Sequence, residues 1–133
     1  MATFPFELVS PERVLFSGNV NAVIVPASEG DMTVLANHAP FMSALRAGLV
    51  SVEVEGAAAK RLYVEGGFCD VSTKGLTLLA EKAVPVEEIN REALAADIKN
   101  LEDDIRDARS DEARASLVEK RDSLKAMVAA ISH

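Results

Sequence analysis

The chain has 133 residues, 26% of them charged, and sets 14 Lys+Arg against 21 Asp+Glu for a formal net charge of −7. That acidic balance, with no basic cluster and with five Phe, one Tyr and no Trp, argues against nucleic acid or an anionic membrane surface as a direct partner. One cysteine excludes an internal disulfide, and no apolar run approaches the ~20 residues that a bilayer span needs.

Residues 1–7 (MATFPFE) have neither the cationic start nor the apolar stretch of a signal peptide, which fits a cytosolic protein. From there residues 1–86 follow the pattern of short strands. Hydrophobic content is 49%, but 21 residues are alanine, so the core must rest on Val, Leu and Ile. Residues 6–10 and 14–16 are the first strand candidates. Residues 19–25 (NVNAVIV) read as one strand, with Val20, Ala22 and Ile24 on one face and Val23 and Val25 on the other. Residues 32–35 and 42–47 follow. Residues 49–54 alternate cleanly, Val50, Val52 and Val54 against Ser51 and Glu53, as a half-buried antiparallel strand does. Gly56 breaks this run and residues 61–65 (RLYVE) resume it as a hairpin. Residues 68–72 and 76–80 form another hairpin about Thr73-Lys74-Gly75. Further turn signals lie at Ser10-Pro11, Ser17-Gly18, Glu29-Gly30, Asn37 to Pro40, Gly48 and Gly66-Gly67. Many short strands at that spacing predict an antiparallel sandwich or flattened barrel.

After Val84-Pro85 the pattern changes. Residues 87–133 contain no Gly or Pro and carry 12 acids against 8 bases. Leu94, Ile98, Leu101, Ile105 and Ala108 recur at helical steps, and Leu117, Leu124, Val128 and Ile131 form a second stripe with the stem of Arg121 in its gap. Asn90 and Ser110 are the expected N-caps. The short connection at residues 107–110 predicts antiparallel helices. The fold class is therefore α+β, a β-sandwich over 1–86 and a helical hairpin over 87–133. Both helical seams are thin and alanine-rich, so the hairpin is marginal by itself and is expected to be the mobile part.

No catalytic set emerges. The only histidines are His38 and His133, and Glu29, Asp31 and His38 are the one group that a metal could gather, short of a full ligand set. Cys69 alternates within a strand, as a small core residue does. Gly66-Gly67 precedes a strand rather than a helix, so it is no phosphate loop. Asp103-Asp104 and Glu87-Glu88 diverge as helical neighbours do and do not converge on a substrate. Two polar loops stand out instead, Ser28 to Asp31 and Asn37 to Pro40. Their ten-residue spacing suggests that they share one end of the sheet, where binding loops cluster.

Several stretches then carry a family likeness. Residues 12–18 (ERVLFSG), Val25-Pro26, Glu29-Gly30-Asp31, His38-Ala39-Pro40, residues 45–48 (LRAG), residues 63–68 (YVEGGF) and residues 78–83 (LLAEKA) resemble, in order and spacing, the epsilon subunit of bacterial F-type ATP synthases, homologous to mitochondrial delta. The likeness spans essentially the whole chain. It implies a ten-stranded sandwich, a non-catalytic place in the central stalk, and partners in the gamma subunit and the c-subunit ring. It also implies a peripheral position on the cytoplasmic face of a bacterial membrane. Carried onto this chain, the ring contact falls on Glu29, Gly30, Asp31 and His38, with His38 adding a pH-sensitive contact. The gamma contact is expected near Ser10.

In some relatives of that family the hairpin inhibits ATP hydrolysis by touching acidic catalytic subunits, for which Arg106, Arg109, Arg114, Lys120, Arg121 and Lys125 are the candidates here. Others bind ATP through a motif like Ile-Asp-x-x-Arg-Ala. The corresponding Ile89-Asn90-Arg91-Glu92-Ala93-Leu94 has Asn90 for the Asp and Ala93 for the Arg, so no ATP binding and no other cofactor is expected. The alternative from a different class is a β-sandwich ligand-binding module with a helical dimerisation hairpin.

Overall fold

The computed structural model describes residues 2–132, leaving Met1 and His133 outside the described residues. It forms two compact units that divide between Glu87 and Glu88. The first holds eight strands: β1 (Phe4–Val9), β2 (Val14–Val20), β3 (Ala22–Ala27), β4 (Gly30–Leu35), β5 (Phe41–Ala44), β6 (Gly48–Glu53), β7 (Lys60–Ser72) and β8 (Gly75–Pro85). The second holds α1 (Arg91–Asp107) and α2 (Asp111–Ile131), preceded by a 3-10 turn at Val86–Glu88.

The strands run in the order β2-β1-β8-β7-β6-β3-β4, with β5 also paired to β7. All neighbours are antiparallel except β1 and β8, which run parallel from Phe6↔Leu76 to Val9↔Leu79. β7 and β8 are the long strands, of 13 and 11 residues, and each serves two layers. The first part of β7 pairs with β6, from Val52↔Lys60 to Gly48↔Val64, and its last part pairs with β5, from Ala44↔Phe68 to Phe41↔Val71. The structure thus has eight strands where the family likeness implies about ten, because β7 and β8 run on as single long strands.

The change of layer in β7 falls at Gly66-Gly67, which the sequence marks as a turn. Both glycines have positive φ, and a Cβ on Gly67 would meet the Leu79 carbonyl oxygen at 1.9 Å. Only a residue without a side chain lets the two backbones approach there while the strand continues. Ser17-Gly18 is likewise not a turn. It lies inside β2, where Gly18 pairs with Phe6 and Ser17 with Glu7. Conversely, the single strand expected over residues 19–25 breaks at Asn21. There the backbone N–H donates to the Glu53 carbonyl at 2.8 Å, so the chain leaves β1 and joins β6.

The core lies between the layers. Phe4, Phe6, Leu8, Val20, Cys69, Val71, Leu76 and Leu78 meet Val23, Val25, Val34, Val50, Val52, Leu62 and Val64 in one cluster of alternating inward positions. Phe6 and Phe16 add a tilted ring pair at 5.4 Å between centroids. In the helical unit both expected caps form. Asn90 accepts from the Ala93 amide at 3.0 Å, and Ser110 accepts from the Ala113 amide at 3.1 Å. The α1 stripe is as read, with Leu94 buried and Ile98, Leu101, Ile105 and Ala108 half-buried. In α2 the stripe closes through Met127, which is buried, while Val128 is exposed. Arg91 Nη2 donates to the Ile131 carbonyl at 2.8 Å, joining the start of α1 to the end of α2 as antiparallel packing requires.

Candidate docking site

The turn Ser28-Glu29 joins β3 to β4 in tight register, with Ala27 opposite Gly30 and Pro26 opposite Asp31. Gly30 takes φ +140 with open space around it, a conformation that favours glycine and lets the turn close in two residues. Glu29 and Asp31 are exposed, and Asp31 is ion-paired to Arg46.

His38 lies elsewhere. The loop of residues 36–40 leaves the opposite end of β4, whose six residues span about 20 Å of extended chain. Asn37 at φ 68 and the His38 amide, which donates to the Leu35 carbonyl at 3.2 Å, shape this loop. His38 Nδ1 donates to the Ala39 carbonyl at 2.7 Å. The loop borders a cleft of about 370 Å³ with Thr3, Pro5, Ser72 and Lys74. The expectation that the two polar loops share one end is thus corrected. Successive turns of an antiparallel hairpin fall at alternate ends, and a ten-residue spacing spans one strand. Glu29, Asp31 and His38 accordingly do not converge, and no group of three or more metal-ligating side chains occurs among the described residues.

Ser10 closes the β1–β2 turn, where its amide donates to the Arg13 carbonyl at 2.9 Å. Beside it begins a feature that the sequence reading missed. Val14 pairs with Val9, Val9 with Leu79, Leu79 with Phe68, and Phe68 with Ala44. These residues point away from the core, with Val14, Phe68 and Leu79 each more than half exposed and Met42 at 66% beyond them. They form an apolar row across five strands, roughly 19 Å wide at the usual strand spacing. The acids Glu7, Asp70 and Glu81 border it, each exposed. One signal was available: Leu78-Leu79 breaks the alternation of its strand, and Phe68 falls on the polar face.

Cys69 is fully buried in the core cluster, and its thiol is held above its ordinary range, by burial before any other cause. It is a packing residue, not a nucleophile. Of the six basic hairpin residues, Arg106 pairs with Asp103, Arg114 with Asp111 and Arg121 with Asp122. Arg109, Lys120 and Lys125 make no ion pair among the described residues. Among the described residues, no helix is long and apolar enough to cross a membrane.

A β-sandwich with a tight acidic turn and a bordered apolar row, followed in the chain by a helical hairpin, has the surface of a protein-docking module. The family model for the ATP synthase delta/epsilon chain β-sandwich domain matches residues 3–86. The chain is 51% identical over 120 residues to the ATP synthase epsilon chain of Parvibaculum lavamentivorans, covering 90% of this chain and 91% of the relative. It is 46% identical over 127 residues to that of Maricaulis maris, covering 93% and 95%. Among solved structures, a chain of the Euglena gracilis mitochondrial ATP synthase complex of OSCP, F1 and c-ring matches at TM-score 0.80 and 26% identity, over 98% of this chain and 82% of that one. The chain therefore belongs to the ATP synthase delta/epsilon family, as an epsilon subunit of the F-type central stalk and a non-catalytic component of the complex. Family membership displaces the ligand-module alternative.

Proposed function

We propose that the sandwich links the gamma subunit to the c-subunit ring through two separate surfaces, holding the chain at the cytoplasmic face of a bacterial membrane through the complex alone. The observation that carries this is the apolar row Val14–Val9–Leu79–Phe68–Ala44 with Met42, which begins at the Ser10 turn expected to meet gamma. Aliphatic and aromatic side chains kept outside a filled core mark a protein contact, and their acidic border selects a partner with basic flanks. The ring contact is assigned to Glu29, Gly30 and Asp31, and His38 leaves that set because β4 separates it from them. The hairpin is the regulatory arm, free of any catalytic role.

The test is binding to gamma. Phe68→Asp and Leu79→Asp, at exposed positions, leave the fold intact and weaken association at least tenfold, because each buries an unpaired charge at the contact. Full binding by both variants would refute the assignment of this face.

A further inference from the structure

The β3–β4 tip is laced to the segment between β5 and β6. Ala27 bridges Leu45. The Ser28 amide donates to the Ala44 carbonyl and the Arg46 amide to the Pro26 carbonyl, each at 3.0 Å, and the Ser28 and Ser43 hydroxyls meet at 3.2 Å. The Arg46 side chain adds two contacts of its own. Its Nε donates to the Ala27 carbonyl at 3.1 Å, and its Nη2 pairs with the Asp31 carboxylate. Ala27 ends β3 and Asp31 belongs to β4, so one guanidinium grips both strands on either side of Ser28-Glu29-Gly30. The planar guanidinium serves the carbonyl and the carboxylate from two different nitrogens held in fixed geometry; a lysine would have to reach both from one compact ammonium on a flexible stem.

The pair is exposed, so it adds little to the stability of the fold. What it fixes is the posture of the tip and its charge. Asp31 is compensated by Arg46, whereas Glu29 is exposed and forms no ion pair among the described residues. We propose that Arg46 is the positioning residue of the ring contact, gripping Ala27 and Asp31 so that Glu29 is presented as the acid that meets a polar or basic loop of the ring. This rests on the assignment of the tip to the ring, and it names the residue on which that contact depends.

The experiment uses the assembled complex carrying Glu29→Cys and a single cysteine in the polar loop of the c subunit; Cys69 is buried and does not compete. A disulfide between the two is expected, and its failure to form overturns the assignment of the tip to the ring. Given that disulfide, adding Arg46→Ala should lower its yield on the order of threefold, the size of one exposed charged contact. Proton-coupled ATP synthesis, measured with Glu29 intact, should fall in parallel, with the unfolding midpoint unchanged. Asp31→Asn should reproduce the loss, and the double variant should be no worse than either single one, since both break the same pair. Arg46→Lys should restore only part of it. A disulfide that forms equally well without the Arg46 side chain overturns the inference and leaves the ring assignment standing. Additive losses in the double variant would also overturn it.

Discussion

Tyr63 shares the outer face of β7 with Glu65 and is fully buried, yet its phenol oxygen finds no partner that meets hydrogen-bond geometry. The Glu65 carboxylate acts on the phenol through its charge. Burial first, and that charge second, push the phenol up from 10.0 to about 12. An unfolded chain releases this proton near pH 10 and the folded one near pH 12, so folding favours the neutral form. The resulting stability is whole below pH 10 and is lost as the pH rises towards 12. Tyr63→Phe should therefore leave the melting midpoint at neutral pH unchanged or slightly higher, within about 1 kcal/mol, because it removes an unsatisfied hydroxyl. Between pH 10 and 12 the variant's midpoint should fall less steeply than the parent's. Burial of Cys69 acts with the same sign in both proteins and cancels from the comparison. Equal alkaline slopes would refute the account. Gly67→Ala is the opposite case: a methyl driven into the Leu79 carbonyl should cost about 3 kcal/mol, read as a lowered denaturation midpoint.

At the scale of elements, the helical hairpin depends on its ends because its middle is thin. Among the described residues of the two helices, Leu94, Met127 and Ile131 alone are buried. Asn90→Ala and Ser110→Ala should each weaken the unit by about 1 kcal/mol, seen as faster amide exchange in the first turn of the affected helix. Arg91→Ala should open the end away from the connecting loop, since its guanidinium donates to the Ile131 carbonyl at the end of α2, where a cation is favoured. Both caps and the α1 stripe were legible in the sequence because helical order is local. Met127 was not, since steps of three and of four are both allowed after Leu124, and the facing helix decides between them. The same limit governed the glycines. Ser17-Gly18 and Gly66-Gly67 have the composition of turns, and only the neighbouring strands turn them into strand interiors. The tip turn was legible as a polar hairpin loop. Arg46, 15 residues from Asp31, was not, nor was the apolar row, which depends on the parallel pairing of β1 with β8.

For the whole molecule, every member of the core cluster lies between Phe4 and Ala80. The sandwich therefore owns its core, and a chain ending at Val86 should fold and melt cooperatively by itself. The hairpin owns far less buried surface, and a fragment of residues 88–133 should show only partial helicity by circular dichroism. That inequality is what a regulatory arm requires, because a unit of low local stability can change state while its neighbour stays bound. In the complex, removing residues 87–133 should preserve gamma binding and raise ATP hydrolysis severalfold. The internal ion pairs narrow the residues responsible. Arg106, Arg114 and Arg121 already satisfy acids on their own helices, so the contact with an acidic catalytic subunit should fall on Arg109, Lys120 and Lys125. Replacing those three with Ala should reproduce the truncation, whereas replacing the paired three should cost helix stability without matching the rise in hydrolysis. Unchanged hydrolysis after truncation would remove the inhibitory role and leave the sandwich as the only working part of the chain.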